Sequence, residues 1–169
     1  MGDMIRVRVV GVALDPAQQH VILLKPVDTA TDGDLVLPVW IGAQEAMSIL
    51  VAIEGTGSPR PLAHDLTTAM LGELSASVER VEVTHLDAGT FHARVLLTTP
   101  AGPRTFDARP SDAIALAARS GGSIWVAADV LAEAGVPDDA VEIEPSAEDD
   151  RVEEFRRFLD DVDPDDFQG

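Results

Sequence analysis

Residues 78–99 read VERVEVTHLDAGTFHARVLLTT, and their pattern decides the class of fold. Val78, Arg80, Glu82 and Thr84 alternate with Glu79, Val81, Val83 and His85, a period of two that suits a strand with one buried face. Asp87-Ala88-Gly89 then supplies a turn, and residues 90–99 resume an apolar, β-branched run. The two runs are expected to pair as an antiparallel hairpin. Towards the N-terminus, residues 4–14 read as a strand, Asp15-Pro16 punctuates, and residues 20–24 make a second apolar run, again hairpin-like. Residues 29–34 form a polar loop. Residues 35–41 form a strand in which Pro38, lacking an N–H, belongs at an edge or a bulge.

Helices interrupt these strands without regular alternation. Gly42 opens a helix over residues 43–54 whose buried face is Ala46, Ile49, Leu50 and Ile53, and Gly55 closes it. After the stiff loop Ser58-Pro59-Arg60-Pro61, a second helix is expected with Asp65 as its N-cap and Leu66, Ala69, Met70 and Leu74 as its buried stripe. Beyond the hairpin, residues 105–107 add a short strand. Pro110 then suits a first helical turn, with Asp112 beside the positive end of the dipole and Gly121-Gly122 at the end. A buried strand over 124–126 and a short helix over 127–134 follow. The pattern predicts an α+β fold: one compact domain with a mixed, largely antiparallel sheet and three or four packed helices.

Composition sets the outer limits. The 169 residues are 46% hydrophobic and 25% charged, which excludes wholesale disorder. Twelve Lys+Arg against thirty Asp+Glu give a net charge of −18, of which −11 falls in residues 138–169 and −7 in residues 1–137. The domain is therefore set at residues 1–137. Residues 138–169 form an acidic tail, in which Val152, Phe155, Phe158 and Leu159 fall near helical spacing. The absence of cysteine removes disulfides, thiolate metal sites and cysteine nucleophiles. No secretion signal and no run of about 20 apolar residues occurs, so a cytoplasmic protein without a membrane span is expected. Aromatic residues are few and tyrosine is absent, which leaves little for a base-stacking platform.

Polar residues that packing does not explain gather in three places: residues 45–54, the loop at 60–65, and Asp107 to Asp112. Glu45 and Glu54 lie about 180° apart on a helix, so one site takes at most one of them. Glu54, beside the second cluster, is the expected one, and Glu45 reads as a first-turn carboxylate. His64 offers an acid/base group or a metal ligand, while Asp65 reads either as a cap or as its catalytic companion. His20, His85 and His92 fall on strands, where packing or solvation accounts for them. Asp107 and Asp112, five apart across a strand-to-helix turn, are expected to converge on a divalent cation, since Mg²⁺ and Mn²⁺ select carboxylate oxygens. Arg109 would then meet a phosphate, or else pair with an acid. Ser111 lacks the Gly-x-Ser-x-Gly context of a nucleophile elbow.

Four blocks in order carry a resemblance: residues 37–46 (LPVWIGAQEA), residues 54–66 with Pro59-Arg60-Pro61 and His64-Asp65, the turn Gly89-Thr90-Phe91-His92-Ala93, and residues 107–117 (DARPSDAIALA). Together they closely resemble the bifunctional nuclease family. The resemblance implies a compact α+β domain, a homodimer, and hydrolysis of DNA and RNA. It places Glu45, Glu54, Arg60, His64, Asp65, Asp107, Arg109, Ser111 and Asp112 among the family's polar positions, and His92 where tyrosine is usual. The expectation is a metal-dependent nuclease. Its catalytic residues are His64, Asp65, Asp107 and Asp112, Arg60, Arg109 and Ser111 bind substrate, and Glu54, Asp107 and Asp112 hold Mg²⁺ or Mn²⁺. The net charge predicts weak, salt-sensitive binding of DNA or RNA. The alternative is a non-catalytic dimeric regulatory or protein-interaction module in which Arg109 pairs with Asp107 or Asp112.

Overall fold

Two meanders and one inserted strand make the sheet. In a computed structural model, which describes residues 2–28 and 34–141, β1 (Met4–Leu14) and β2 (His20–Pro26) form the first hairpin and β3 (Leu35–Ile41) extends it, all antiparallel. The second meander is β4 (Ser77–Asp87), β5 (Thr90–Thr98) and β6 (Arg104–Ala108), with the expected turn at Ala88 and Gly89. β7 (Ser123–Ala127) lies between them, antiparallel to β1 and parallel to β4. With β8 (Val136–Pro137) pairing Leu35 and Val36, the order is β6-β5-β4-β7-β1-β2-β3-β8. Pro38 lies beyond the reach of β8, on a free stretch of edge as its missing N–H requires.

Four α-helices are described: α1 (Ala43–Glu54), α2 (Ala63–Glu73), α3 (Pro110–Ser120) and α4 (Ala128–Ala134). Gly55 and Gly121 close α1 and α3 in the left-handed conformation, φ 66° and 74°. Asp65 is not the N-cap of α2. The helix begins two residues earlier, Leu62 is the cap residue, and Asp65 sits in the third helical position, where its carboxylate reaches back to the Leu62 N–H at 2.8 Å.

The main core joins Ile49 of α1, Ala113, Ile114 and Ala117 of α3 and Val130 and Leu131 of α4 to one face of the sheet, where Val7, Ile22, Val81, Val83, Val95 and Val126 point. A second, smaller cluster of Ala13, Val21, Leu23 and Val36, with Val141 against it, lies on the opposite face. Strand alternation therefore gives the sheet a helix-covered face and a second face. The helix expected over residues 152–159, like the tail as a whole beyond Val141, lies outside the described residues. Among the described residues no helix is long and apolar enough to cross a membrane.

Candidate functional site

α3 packs against both α1 and α2, which brings three helix N-termini into one neighbourhood. Glu45 and Ser48, three apart, share a side of α1. His64 lies in the first turn of α2. Arg109 is the N-cap residue of α3, and Asp112 stands in its first turn.

These side chains form one chain of contacts. Glu45 Oε1 accepts from Arg109 Nη2 at 3.1 Å, and Arg109 Nε donates to Asp112 Oδ2 at 2.9 Å. Asp112 Oδ1 lies 2.9 Å from His64 Nε2, and His64 Nδ1 lies 2.7 Å from Ser48 Oγ. With the proton on Nε2, His64 donates to Asp112 and accepts from the Ser48 hydroxyl. Exposure climbs along this row: Ser48 is 4% exposed, while the side chains of His64, Asp112 and Arg109 are 14%, 34% and 67% exposed. Burial alone would raise the Asp112 carboxyl, but hydrogen bonds from Arg109 and His64 outweigh it and hold the group below the ordinary carboxylate range. The same partner, Asp112, together with Glu45, raises Arg109 further above its already high value.

Serine, histidine and aspartate in a row invite comparison with a hydrolytic triad. Ser48 is too deeply buried to be attacked upon or to attack, so here it fixes the imidazole ring. Sequence reasoning missed this residue, although its place three positions after Glu45 on a helix was a usable signal.

The exposed end of the row opens on a cleft of about 650 Å³, lined among others by Trp40, Gly42, Thr90, Phe91, Arg109 and Ser111. Gly42 and Arg109 are the N-cap residues of α1 and α3, so the positive ends of two helix dipoles face this space. Ser111 is 6% exposed, and its hydroxyl has no hydrogen-bond partner among the described residues. Unpaired backbone donors, a guanidinium and a hydroxyl are what an oxyanion needs.

Other expected site residues lie elsewhere. Glu54 is exposed in the last turn of α1, about 13 Å along the axis from Glu45 by helical rise, so Glu45 and not Glu54 belongs to the cluster. Arg60 is exposed in the loop before α2 and has no ion-pair partner among the described residues. Asp107 is opposite Arg94 in the β5–β6 register, on the second face, because its neighbours Phe106 and Ala108 pair with the core-facing Val95 and Ala93. Asp107 and Asp112 therefore do not converge. Asp65 clamps α2 to α3 through Arg119 Nε at 2.7 Å. That bond, together with the Leu62 N–H, lowers its carboxyl.

Glu54, Asp107 and Asp112 do not fit a divalent-ion site in this arrangement. They stand at the far end of α1, on the other sheet face, and between two cationic or imidazole donors, respectively. Among the described residues no three histidine, aspartate or glutamate side chains gather as a ligand set.

Three of the resembling blocks thus meet at one cleft, at Trp40 and Gly42, at Thr90 and Phe91, and at Arg109 and Ser111. The family model for the bifunctional nuclease domain matches residues 22–139, and the chain belongs to that family. Two relatives, uncharacterized proteins of two strains of Mycobacterium tuberculosis, are each 41% identical over 166 residues, covering 96% of this chain and 97% of their own.

Proposed function

We propose that the chain is a nuclease that binds a phosphodiester of DNA or RNA in the cleft before α1 and α3. The observation that carries this reading is Arg109, projecting into the cleft from a fixed position between Glu45 and Asp112, with the unpaired Ser111 hydroxyl beside it. Arg109 and Ser111 hold the phosphate, and the N–H groups of the α1 and α3 first turns add donors without adding charge. His64, held by Ser48 through Nδ1 and by Asp112 through Nε2, fixes Asp112 and through it Arg109, and serves as acid or base by exchanging its Asp112 contact for substrate. Membership of the nuclease family supports the reaction class. A catalytic part for Asp65 and Asp107 has no support in their positions, and Arg60 is left as a peripheral phosphate contact.

The test is hydrolysis of single-stranded DNA and RNA by purified protein, with and without Mg²⁺ or Mn²⁺. Cleavage should fall at least a hundredfold in Arg109→Ala and His64→Ala, and activity unchanged in both would sink the reading. Binding should weaken steeply between 50 and 200 mM salt, on the order of tenfold or more for each few phosphate contacts.

A second reading, a non-catalytic dimeric interaction module, draws on a different observation. Met47, Ile53, Leu66, Met70 and Leu74 are each about half exposed or more along α1 and α2. Ile53 and the α2 stripe of Leu66, Met70 and Leu74, expected to be buried, therefore face outward among the described residues, as a set that a homodimer would cover. Normal folding of the Arg109 and His64 variants with no hydrolysis by any form of the protein would favour it.

A further inference from the structure

The second face of the sheet collects most of the basic side chains of residues 1–137, with Glu82 and Asp107 among them. Cross-strand pairing places Asp107, Arg94, Glu82, Trp125 and Arg6 in one row over β6, β5, β4, β7 and β1. Arg8 and Lys25 are opposite each other on the neighbouring strands, and Arg80 lies two residues from Glu82 on the same face. Arg6, Arg8, Lys25, Arg80 and Arg94 are thus five of the nine basic residues in residues 1–137, gathered around the ring of Trp125. Glu82 is 1% exposed beneath Arg80 and Arg94, and both its oxygens are taken by them. It locks Arg80 and Arg94 in place. Five basic side chains against Glu82 and Asp107 leave the face with a positive excess, carried by the exposed Arg6, Arg8 and Arg94.

The described chain ends on this same face. Asp138 ion-pairs with Lys25, and Val141 packs against Ala13, Val21, Leu23 and Val36. Residues 142–169 follow, with twelve acidic and three basic side chains. The geometry points to these C-terminal residues as the occupant of the Arg6–Arg80–Arg94–Trp125 face. The chain is delivered to its border by an ion pair and an apolar contact of the same kinds that would continue across it, and the charges are opposite. The tail carries its own apolar residues, Phe155, Phe158 and Leu159, for Trp125. A nucleic acid or a second copy would have to displace a polyanion tethered at the edge, whose effective concentration is in the millimolar range. The docking surface shares no residue with the cleft, so this inference stands or falls apart from the nuclease reading.

Lys25 is the sole lysine, which makes the test clean. Full-length protein carrying Arg6→Lys, and separately Arg8→Lys, is treated with a water-soluble carbodiimide and mapped by mass spectrometry, the native Lys25–Asp138 pair serving as a positive control. Coupling of the new amine to carboxylates within residues 142–169, inside monomers and reduced at least fivefold in 1 M NaCl, is the expected result. Coupling found in covalent dimers alone would assign the face to a second copy. No coupling, with the amine shielded from an amine-reactive reagent by a short single-stranded DNA, would assign it to nucleic acid. Either overturns the inference, as does the absence of all coupling to the tail. In a Trp40→Phe background, changing Glu148, Asp149, Asp150, Glu153 and Glu154 to amides should at least double acrylamide quenching of Trp125. Unchanged quenching speaks against docking.

Discussion

Arg109 is mostly exposed yet held at two points, by Asp112 through Nε and by Glu45 through Nη2. A planar guanidinium can bridge two carboxylates and still present donors to a third anion, whereas a lysine ammonium is a single point charge. Arg109→Lys should therefore keep the charge and lose at least tenfold in nucleic-acid cleavage, readable as kcat/KM. The same reasoning gives a pH dependence for stability. Asp112 and Asp65 both titrate below the ordinary carboxylate value of 3.8 in the folded protein. Their contribution is fully present well above that value and is lost as pH falls below it, through their lowered folded pKa values. Melting temperatures should hold between pH 7 and 5 and drop below pH 4, with a shallower drop in Asp112→Asn. At this scale the sequence was half legible. His64, Arg109, Ser111 and Asp112 were visible as polar residues at helix starts. Glu45 was passed over for Glu54, because a helix axis separates the two and only the packing of α3 decides which end of α1 is used. Asp107 was misplaced because an alternation of one residue in β6 sends it through the sheet.

The N-terminus of α2 shows how an element is started by a residue inside it. Leu62 has no side-chain acceptor, so the Asp65 carboxylate caps from the third position and binds Arg119 with its other oxygen. Asp65→Ala should cost about 1–2 kcal/mol, the range of a lost cap, measured by denaturant unfolding. Gly121 closes α3 at φ 74°, so Gly121→Ala should cost about 1 kcal/mol from backbone strain alone. The hairpin at residues 78–99, the three longer helices and the edge position of Pro38 were legible because each rests on local periodicity or on a missing N–H. β7 was legible as a buried strand, but its neighbours were not. A serine and four apolar residues carry no information on which two distant edges they will join. β8 is two residues long and was invisible for the same reason.

At the scale of the molecule, α1 and α2 leave a side rich in Met47, Leu66, Met70 and Leu74 without cover among the described residues. If two copies meet there, Met70→Glu should shift light scattering from dimer to monomer mass without unfolding the protein. The order of the sheet has a different consequence, for synthesis. β1–β3 and β4–β6 are each complete hairpin systems, yet they share no described strand pairing except through β7, near the end of the domain. Until residue 127 has left the ribosome, β1 and β4 remain open edges, each able to pair with another chain. Glu45 and Ser48 ride on the first half while Arg109 and Asp112 ride on the second. The candidate site therefore stays in two halves until β7 joins them, so if the proposed nuclease reading holds, the growing chain is inert towards the messenger RNA that encodes it until residue 127 has emerged.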